Sequence, residues 1–190
     1  MKLVFATNNK NKIKEIKQLL PTSIKLLSLE DINCLEDIPE TSKTIEGNAI
    51  QKAEYVYNKY GYNCFADDTG LEIDALNGEP GVYSARYAGE QKDANDNMDL
   101  VLNKLKGVDN RNARFITVIA LIIDGKTTCF KGIVEGIITT KKSGSEGFGY
   151  DPIFKPNESK LTFSEMSLKE KNKISHRAKA VMKLTKYLTT

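Results

Sequence analysis

Segments in which apolar residues follow the pattern of a β-strand alternate along this chain with segments in which they recur at helical spacing. Lys2–Ala6 is a short β-rich run, and the apolar residues that follow recur at helical spacing as far as Pro21. Two long apolar runs, Ala113–Ile123 and Thr127–Ile138, flank Asp124-Gly125, a dipeptide typical of hairpin turns. This alternation predicts an α/β fold with a mixed central β-sheet flanked by helices.

The pattern also predicts where the middle and the end of the chain are helical or extended. Thr44 is the expected N-cap of a helix that ends near Gly61, and further helices are expected over Asp93–Lys106 and up to about Leu188. Ser167 and Glu170 form a capping-box pattern for a short helix. A strand over Tyr62–Ala66 is expected to end at Asp67-Asp68, with a separate strand over Leu71–Leu76.

A length of 190 residues suits one domain, and residues 1–190 are interpreted as such a domain. The central hairpin and the short helices around it are expected to form a smaller lobe. The fold is therefore predicted to be two-lobed, with an active-site cleft between the lobes.

Composition excludes several classes of partner and location. The net charge is only +3, whereas a duplex-binding protein usually has a much stronger basic bias, so no nucleic-acid partner is expected. No apolar stretch approaches the ~20 residues that a membrane helix needs, so no membrane partner is expected. Cys34, Cys64 and Cys129 are odd in number and lack metal-site spacing, which favours reduced thiols and a cytoplasmic location.

The polar turn between the first strand and the first helix is a candidate anion site. Backbone amides at a helix N-terminus favour anions, and Lys10 and Lys12 add positive charge. The turn has no glycine, so it is not a P-loop, and an ordinary strand-to-helix turn remains the alternative. The candidate residues are Thr7, Asn8, Asn9, Lys10, Asn11 and Lys12.

The segment Asp67-Asp68-Thr69-Gly70 is a candidate metal site. Two adjacent carboxylates at the end of a strand are unfavourable unless something positive lies near them, and Mg²⁺ prefers such oxygen ligands. Glu40, in the loop before the second helix, is a possible third carboxylate. The alternative is a surface turn, because Asp and Gly are both turn residues.

Two further segments have the chemistry to recognise a nucleotide. Phe148 lies between two glycines, which would leave its ring open to stack on a base, and Asp151 would accept hydrogen bonds from the base edge. A loop anchored by a buried aromatic residue is the alternative. Ser175 is the expected N-cap of a helix starting at His176. Positive charge on His176 and Arg177 is unfavourable in the first turn of a helix, and a bound anion would offset this effect. The alternative is an ordinary helix start exposed to solvent.

Taken in order along the chain, these segments resemble the inosine/xanthosine triphosphate pyrophosphatase family, which removes non-canonical purine nucleotides. The likeness extends from Thr7 to Arg177. The segments that carry it are Thr7–Lys12, Glu40 with Glu46-Gly47-Asn48-Ala49, Asp67–Gly70, Pro80–Tyr87, Phe148–Pro152 and Ser175–Arg177. Many members of the family have Gly where this chain has Asn8, and the turn is expected to survive because Asn supports left-handed geometry.

The resemblance implies hydrolysis of the triphosphates ITP, dITP and XTP to the monophosphate and pyrophosphate by a two-lobed homodimer that uses Mg²⁺. Water would attack the α-phosphorus. Glu40 and Asp68 would be the metal ligands, Asp68 would also accept the proton, and Asp67 would act through the outer shell of the metal.

The resemblance also implies which residues bind the substrate. The turn from Thr7 to Lys12 would wrap the triphosphate, with Thr69 and Lys171 as further contacts. The base pocket would consist of Phe148, Gly149, Tyr150 and Asp151, with Phe148 stacking on the ring. His176 and Arg177 would bind the 6-oxo edge of the purine.

Two other functions use some of the same residues. A nucleotide-binding or nucleic-acid-binding module without catalysis would use the lysines and Phe148, but it has no need of Glu40, Asp67 and Asp68, which would repel phosphate unless a metal intervened. An enzyme of the same fold acting on canonical or modified pyrimidine triphosphates is the second alternative.

Overall fold

A computed structural model of the chain describes residues 1–189, which contain seven strands and five α-helices. The strands are β1 (Lys2–Phe5), β2 (Lys25–Leu27), β3 (Cys64–Ile73), β4 (Pro80–Gly81), β5 (Asn112–Ile123), β6 (Lys126–Ile138) and β7 (Phe154–Pro156). The helices are α1 (Lys10–Leu19), α2 (Ile45–Tyr60), α3 (Ala94–Lys104), α4 (Leu168–Ile174) and α5 (His176–Thr189).

The helices begin and end where the sequence supplies caps. The Thr44 hydroxyl accepts a hydrogen bond from the Gly47 amide at the start of α2, and Gly61 ends that helix with a φ of 71°. Ser167 and Glu170 form the predicted capping box at the start of α4. The predictions for Thr44, Gly61 and the capping box are therefore confirmed.

The strands form one mixed sheet in the order β2-β1-β3-β5-β6-β7, and β4 pairs with β3. β1 is parallel to both β2 and β3, whereas β7 runs antiparallel to β6. Asp124 and Gly125, both with positive φ, form the two-residue turn between β5 and β6. The predictions of a mixed α/β fold and of a central hairpin are confirmed.

The chain divides into two compact units. Unit 1 contains Met1–Asp68, Thr117–Gly132 and the chain from Arg177 onward, and unit 2 contains Thr69–Ile116 and Ile133–His176. The central hairpin, which was expected to form the centre of a smaller lobe, contributes residues to both units.

Each unit has an apolar core of its own. In unit 1, α1 and α5 cover one group of buried side chains that includes the stacked rings of Phe5 and Phe65. In unit 2, Met98 and Val101 of α3 and Leu105, which follows that helix, pack into a second group that also contains three phenylalanines.

The prediction for the Asp67–Gly70 segment is wrong in its local structure. Two strands separated by a turn were expected, but β3 runs without a break from Cys64 to Ile73. The side chain of Asp67 is fully buried, and that of Asp68 is largely buried. Basic side chains contact both carboxylates, so the acidic residues do not need to leave the sheet to reach solvent.

The helices between residues 1 and 189 include none that is long and apolar enough to cross a membrane.

Candidate active site

In unit 1, the turn between β1 and α1 is held by its own polar side chains. The Asn9 side chain is the N-cap of α1 and accepts hydrogen bonds from the amides of Asn11, at 3.0 Å, and Lys12, at 3.2 Å. The Thr7 hydroxyl accepts one from the Asn9 amide at 3.2 Å. Asn8 is exposed and is not among the residues with positive φ, so the turn does not depend on left-handed geometry at this position.

Asp67 lies at the centre of a buried ionic network in unit 1. One carboxylate oxygen, Oδ1, lies 3.0 Å from Lys12 Nζ, and the other, Oδ2, lies 3.1 Å from Arg177 Nη2 and accepts a 3.1 Å hydrogen bond from Arg177 Nε. Arg177 also forms an ion pair with Glu15 of α1. Both oxygens of Asp67 are therefore occupied by cations of the protein itself.

Burial and the neighbouring charges shift the pKa values of the residues in this ionic network. Although burial alone would raise the pKa of Asp67, the positive charges of Lys12 and Arg177 hold that pKa well below its ordinary value. Burial lowers the pKa of Lys12, and attraction to Asp67 offsets only part of this effect. Asp67 is thus an anchoring carboxylate for two basic side chains.

Asp68 and Glu40 share a different cation, Lys52 of α2. Lys52 Nζ lies 2.5 Å from Glu40 Oε1 and 3.4 Å from Asp68 Oδ1. Burial raises the pKa of Asp68, and the ammonium groups of Lys52 and Lys12 offset this only in part. Burial would lower the pKa of Lys52, but the carboxylates of Asp68 and Glu40 outweigh it and raise that pKa.

This arrangement fits a hard divalent cation. No group of three or more histidine, cysteine or acidic side chains suited to a metal ion occurs within the described chain. Mg²⁺, however, is commonly held by one or two carboxylates together with the phosphates of a substrate. Glu40 and Asp68 suit that role, because their oxygens already approach one common cation, Lys52 Nζ.

In unit 2, the loop from Gly147 to Asp151 is organised around a second buried ion pair. Lys171 Nζ lies 2.6 Å from Asp151 Oδ2, and both side chains are buried. The same oxygen accepts a 2.8 Å hydrogen bond from the Phe148 amide. Gly147 has a φ of 77°, and a Cβ there would lie 2.2 Å from Asp151 Oδ2, so glycine is needed for this close approach.

Aromatic rings surround the Lys171 ammonium. The nitrogen lies 5.0 Å from the centroid of the Phe148 ring and 5.4 Å from that of Phe163, within the range of a cation–π interaction. The His176 ring stacks on Phe115 with a centroid distance of 4.5 Å. Tyr150 is buried, and its hydroxyl donates a 2.7 Å hydrogen bond to the Ser84 carbonyl.

The residues predicted as site residues thus form two groups. Unit 1 holds the turn from Thr7 to Lys12 together with Glu40, Asp67, Asp68 and Arg177, whereas unit 2 holds Thr69, Phe148–Asp151, Lys171 and His176. Phe148 is half-buried rather than open on both faces. Lys171 was expected to reach phosphate, but its ammonium lies against Asp151 and Phe148.

Two neighbours of these groups were missed in the sequence. Lys52 lies on the same helical stripe as Ile45, Ala49 and Val56, and a lysine within an apolar stripe is a sign of a buried functional charge. Glu15 follows Lys12 by three residues and so shares its face of α1. No local pattern in the sequence indicates that its partner is Arg177, 162 residues further along.

The comparisons with known proteins agree over almost the whole chain. The Ham1 family model matches residues 3–187. The chain is 65% identical over 189 residues to the dITP/XTP pyrophosphatase of Flavobacterium johnsoniae, covering 100% of this chain and 98% of that protein. It is 49% identical over 189 residues to the dITP/XTP pyrophosphatase of Bacillus subtilis, covering 97% and 96% of the two chains.

A solved structure agrees with the fold as well. The Ham1 protein of Staphylococcus aureus superposes with a TM-score of 0.90 at 41% sequence identity, and the match covers 100% of this chain and 98% of that one.

Proposed function

Because this chain belongs to the Ham1 family, we propose that it hydrolyses non-canonical purine nucleoside triphosphates, namely dITP, ITP and XTP, to the nucleoside monophosphate and pyrophosphate. The observation that carries the proposal is the position of Asp68 and Glu40, whose carboxylates approach one cation in unit 1. The names of the Flavobacterium and Bacillus relatives support the same reaction.

In the proposed reaction, water attacks the α-phosphorus, and the bond from that phosphorus to the oxygen bridging to the β-phosphate breaks. Asp68 accepts the proton of the attacking water as the general base. Pyrophosphate leaves, and the oxygen of the water remains in the monophosphate. No covalent intermediate with the protein is needed, because phosphoryl transfer depends mainly on positioning and charge neutralisation.

The residues of unit 1 are proposed to bind the phosphates. The amides at the N-terminus of α1 favour anions, and Lys10 and Lys12 add charge to this turn. Glu40 and Asp68 would hold Mg²⁺, which supplies neutralisation of the phosphate charge when bound. Arg177 is proposed to fix Asp67, and through it Lys12, because its guanidinium contacts Asp67 and Glu15.

The residues of unit 2 are proposed to bind the base. Phe148 is proposed to stack on the purine ring, with Gly149, Tyr150 and Asp151 forming the adjacent wall and Thr69 a further contact. Lys171 and His176 are the candidate donors to the 6-oxo group. Such donors disfavour adenine, because its 6-amino group would leave them without an acceptor.

The experiment that tests this proposal is a substrate panel with detection of released pyrophosphate. We expect dITP, ITP and XTP to be hydrolysed with a kcat/KM at least about 100-fold above those for dATP, dCTP and dTTP, as is typical where a site pairs a polar group of the substrate. Equal or faster hydrolysis of pyrimidine triphosphates would favour the alternative enzyme. Tight binding of dITP without release of pyrophosphate would favour a binding module.

We also propose a homodimer, which the family resemblance implies, and a cytoplasmic location, which the cysteine content favours. Cys34, Cys64 and Cys129 are all free, as expected in a reducing compartment. Light scattering at micromolar concentration should give twice the monomer mass of 21.2 kDa, and a monomer mass would contradict the dimer.

A further inference from the structure

One face of α2 holds the chain segment that carries Glu40. The Gln51 amide pairs with Thr41, accepting a 2.9 Å hydrogen bond from its backbone N–H and donating a 2.9 Å bond to its hydroxyl. Lys52, the next residue along the helix, contacts Glu40 itself. Asn48, four residues before Lys52, accepts a 2.8 Å hydrogen bond from the Ser42 amide. The helix thus fixes three consecutive residues, 40 to 42.

Asn48 differs from Gln51 because it also contacts Asp68. Its side-chain nitrogen, Nδ2, lies 3.4 Å from Asp68 Oδ2, and the residue is only 1% exposed. The orientation of the amide is determined by its partners. The Ser42 N–H can only donate, so it requires Oδ1, and the Asp68 carboxylate can only accept, so it requires Nδ2.

The two oxygens of Asp68 therefore have different partners on the same helix. Oδ1 lies 3.4 Å from Lys52 Nζ, and Oδ2 accepts the hydrogen bond from Asn48. Two contacts to two oxygens fix the plane of a carboxylate as well as its position. A single contact through Lys52 would leave that plane free to rotate.

Gly47 makes this arrangement possible. A Cβ at position 47 would lie 1.9 Å from the Ser42 hydroxyl oxygen and 2.8 Å from Ser42 Cβ. The absence of that Cβ lets the segment approach the first turn of α2 closely enough for the Ser42 amide to reach Asn48. Gly47 therefore allows the close approach of Ser42, and Asn48 links the Ser42 amide to the Asp68 carboxylate.

We propose that Asn48 is a positioning residue for the hydrolysis, one that orients the Asp68 carboxylate and couples it to the segment that carries Glu40. The inference rests on the proposed function, in which Asp68 accepts a proton from water. Asn48 does not contact the substrate in this account; it acts through Asp68. Losing it should lower the rate of the chemical step more than the binding of the nucleotide.

Gln51 provides a matched control for the test. Asn48→Asp and Gln51→Glu make the same amide-to-carboxylate change on the same helix, and both retain an oxygen acceptor for the backbone N–H of the 40–42 segment. Only Asn48→Asp removes a donor from Asp68 and sets a like charge beside it. Asn48→Ala removes the donor without adding charge, so it serves as a second variant in case the buried charge prevents folding.

The experiment measures kcat and KM for dITP, with Mg²⁺ present, together with the melting temperature of each variant. We expect both Asn48 variants to lower kcat by about 10- to 100-fold, because small displacements of a catalytic group have effects of that size. Their KM should stay within about threefold of the parent, whereas Gln51→Glu should keep both constants within about threefold.

The inference is overturned if the Asn48 variants keep kcat within threefold of Gln51→Glu, or if KM rises as much as kcat falls. A parent protein that releases no pyrophosphate from dITP would instead contradict the proposed function. An active parent whose Asp68→Asn variant is equally active would contradict the role of Asp68. These outcomes are distinguishable within one set of assays.

Discussion

At the residue scale, buried acidic and basic side chains of unit 1 form ion pairs with one another. One group of buried or partly buried ionic residues contains the bases Lys12, Lys52 and Arg177 and the acids Glu15, Glu40, Asp67 and Asp68. Desolvated charges are costly unless they are paired. Asp68 and Glu40 both lie against the Lys52 ammonium, so two carboxylates lie close together where Mg²⁺ is proposed to bind.

Replacing Asp68 with Asn removes the proposed proton acceptor and leaves the size of the side chain unchanged. We expect kcat for dITP to fall by on the order of 10²- to 10⁴-fold, the usual contribution of a general base. Circular dichroism and the melting temperature should show that the variant is folded. A kcat within a few-fold of the parent value would contradict the role assigned to Asp68.

The preference for dITP over dATP distinguishes the proposed roles of Phe148 and Arg177 from those of the proposed donors to the 6-oxo group, Lys171 and His176. Phe148→Ala should lower kcat/KM for dITP and dATP about equally, by roughly 5- to 150-fold, because stacking on a base is worth ~1–3 kcal/mol whatever the base. Arg177→Lys should also affect both nucleotides equally, because its guanidinium contacts Asp67 and Glu15, which hold Lys12 and α1 on the proposed phosphate side. His176→Ala should reduce the preference for dITP.

Competition between the two nucleotides would measure the preference directly. If Arg177→Lys lowered kcat/KM for dITP at least tenfold more than for dATP, Arg177 would read the 6-oxo group, as the family resemblance implies. Equal losses would assign it to the anchoring of Asp67.

At the element scale, local patterns in the sequence were sufficient for most of the secondary structure. Thr44, Gly61, Ser167 and Glu170 act through hydrogen bonds to neighbours in the chain, so their effects can be predicted from spacing. The continuous strand β3 could not be predicted, because the charge of the buried Asp67 is compensated by Lys12 and Arg177, which are remote in sequence. The same limitation applies to Lys171, whose partner Asp151 lies 20 residues away.

At Gly47, near the start of α2, the expected effect of a substitution is opposite to the one that helix propensity predicts. Gly→Ala within a helix usually stabilises by about 1 kcal/mol. At Gly47 the new Cβ would meet the Ser42 side chain at 1.9 Å, so the segment carrying Glu40 should shift. We expect Gly47→Ala to lower kcat/KM for dITP by about 10-fold or more, with no rise in melting temperature.

A second substitution tests whether the contact with Ser42 causes the expected loss of activity in Gly47→Ala. Ser42→Gly removes both Ser42 atoms that the new methyl group meets and keeps the amide that binds Asn48. The double variant should therefore recover part of the lost activity. Equal losses in the single and double variants would show that the Ser42 contact is not the cause.

At the scale of the whole molecule, the order of the motifs was more informative than any one of them. Single segments such as Thr7–Lys12 allowed an ordinary turn as an alternative, but six segments in sequence identified the family, and the family match covers residues 3–187. Their division between two compact units was not predictable, because it depends on which residues pack together. Arg177 shows this, since it belongs to unit 1 while the preceding His176 belongs to unit 2.

The proposed metal requirement concerns the complete enzyme together with its substrate. After the metal is stripped with excess chelator, we expect hydrolysis of dITP to be lost and then restored by added Mg²⁺. Glu40 and Asp68 would hold the ion together with the phosphates of the substrate, whose negative charge it neutralises. The melting temperature of the stripped protein should show that the fold remains. Full turnover after stripping would mean that Lys52 and the other basic residues suffice.

The most direct test of the central claim is hydrolysis of dITP by the purified protein in ¹⁸O-labelled water with Mg²⁺, followed by mass spectrometry of both products. Attack at the α-phosphorus predicts one ¹⁸O atom in dIMP and none in pyrophosphate, with both products formed at least about 100-fold more slowly by the Asp68→Asn variant. Label in pyrophosphate, or formation of dIDP and inorganic phosphate, would contradict the account.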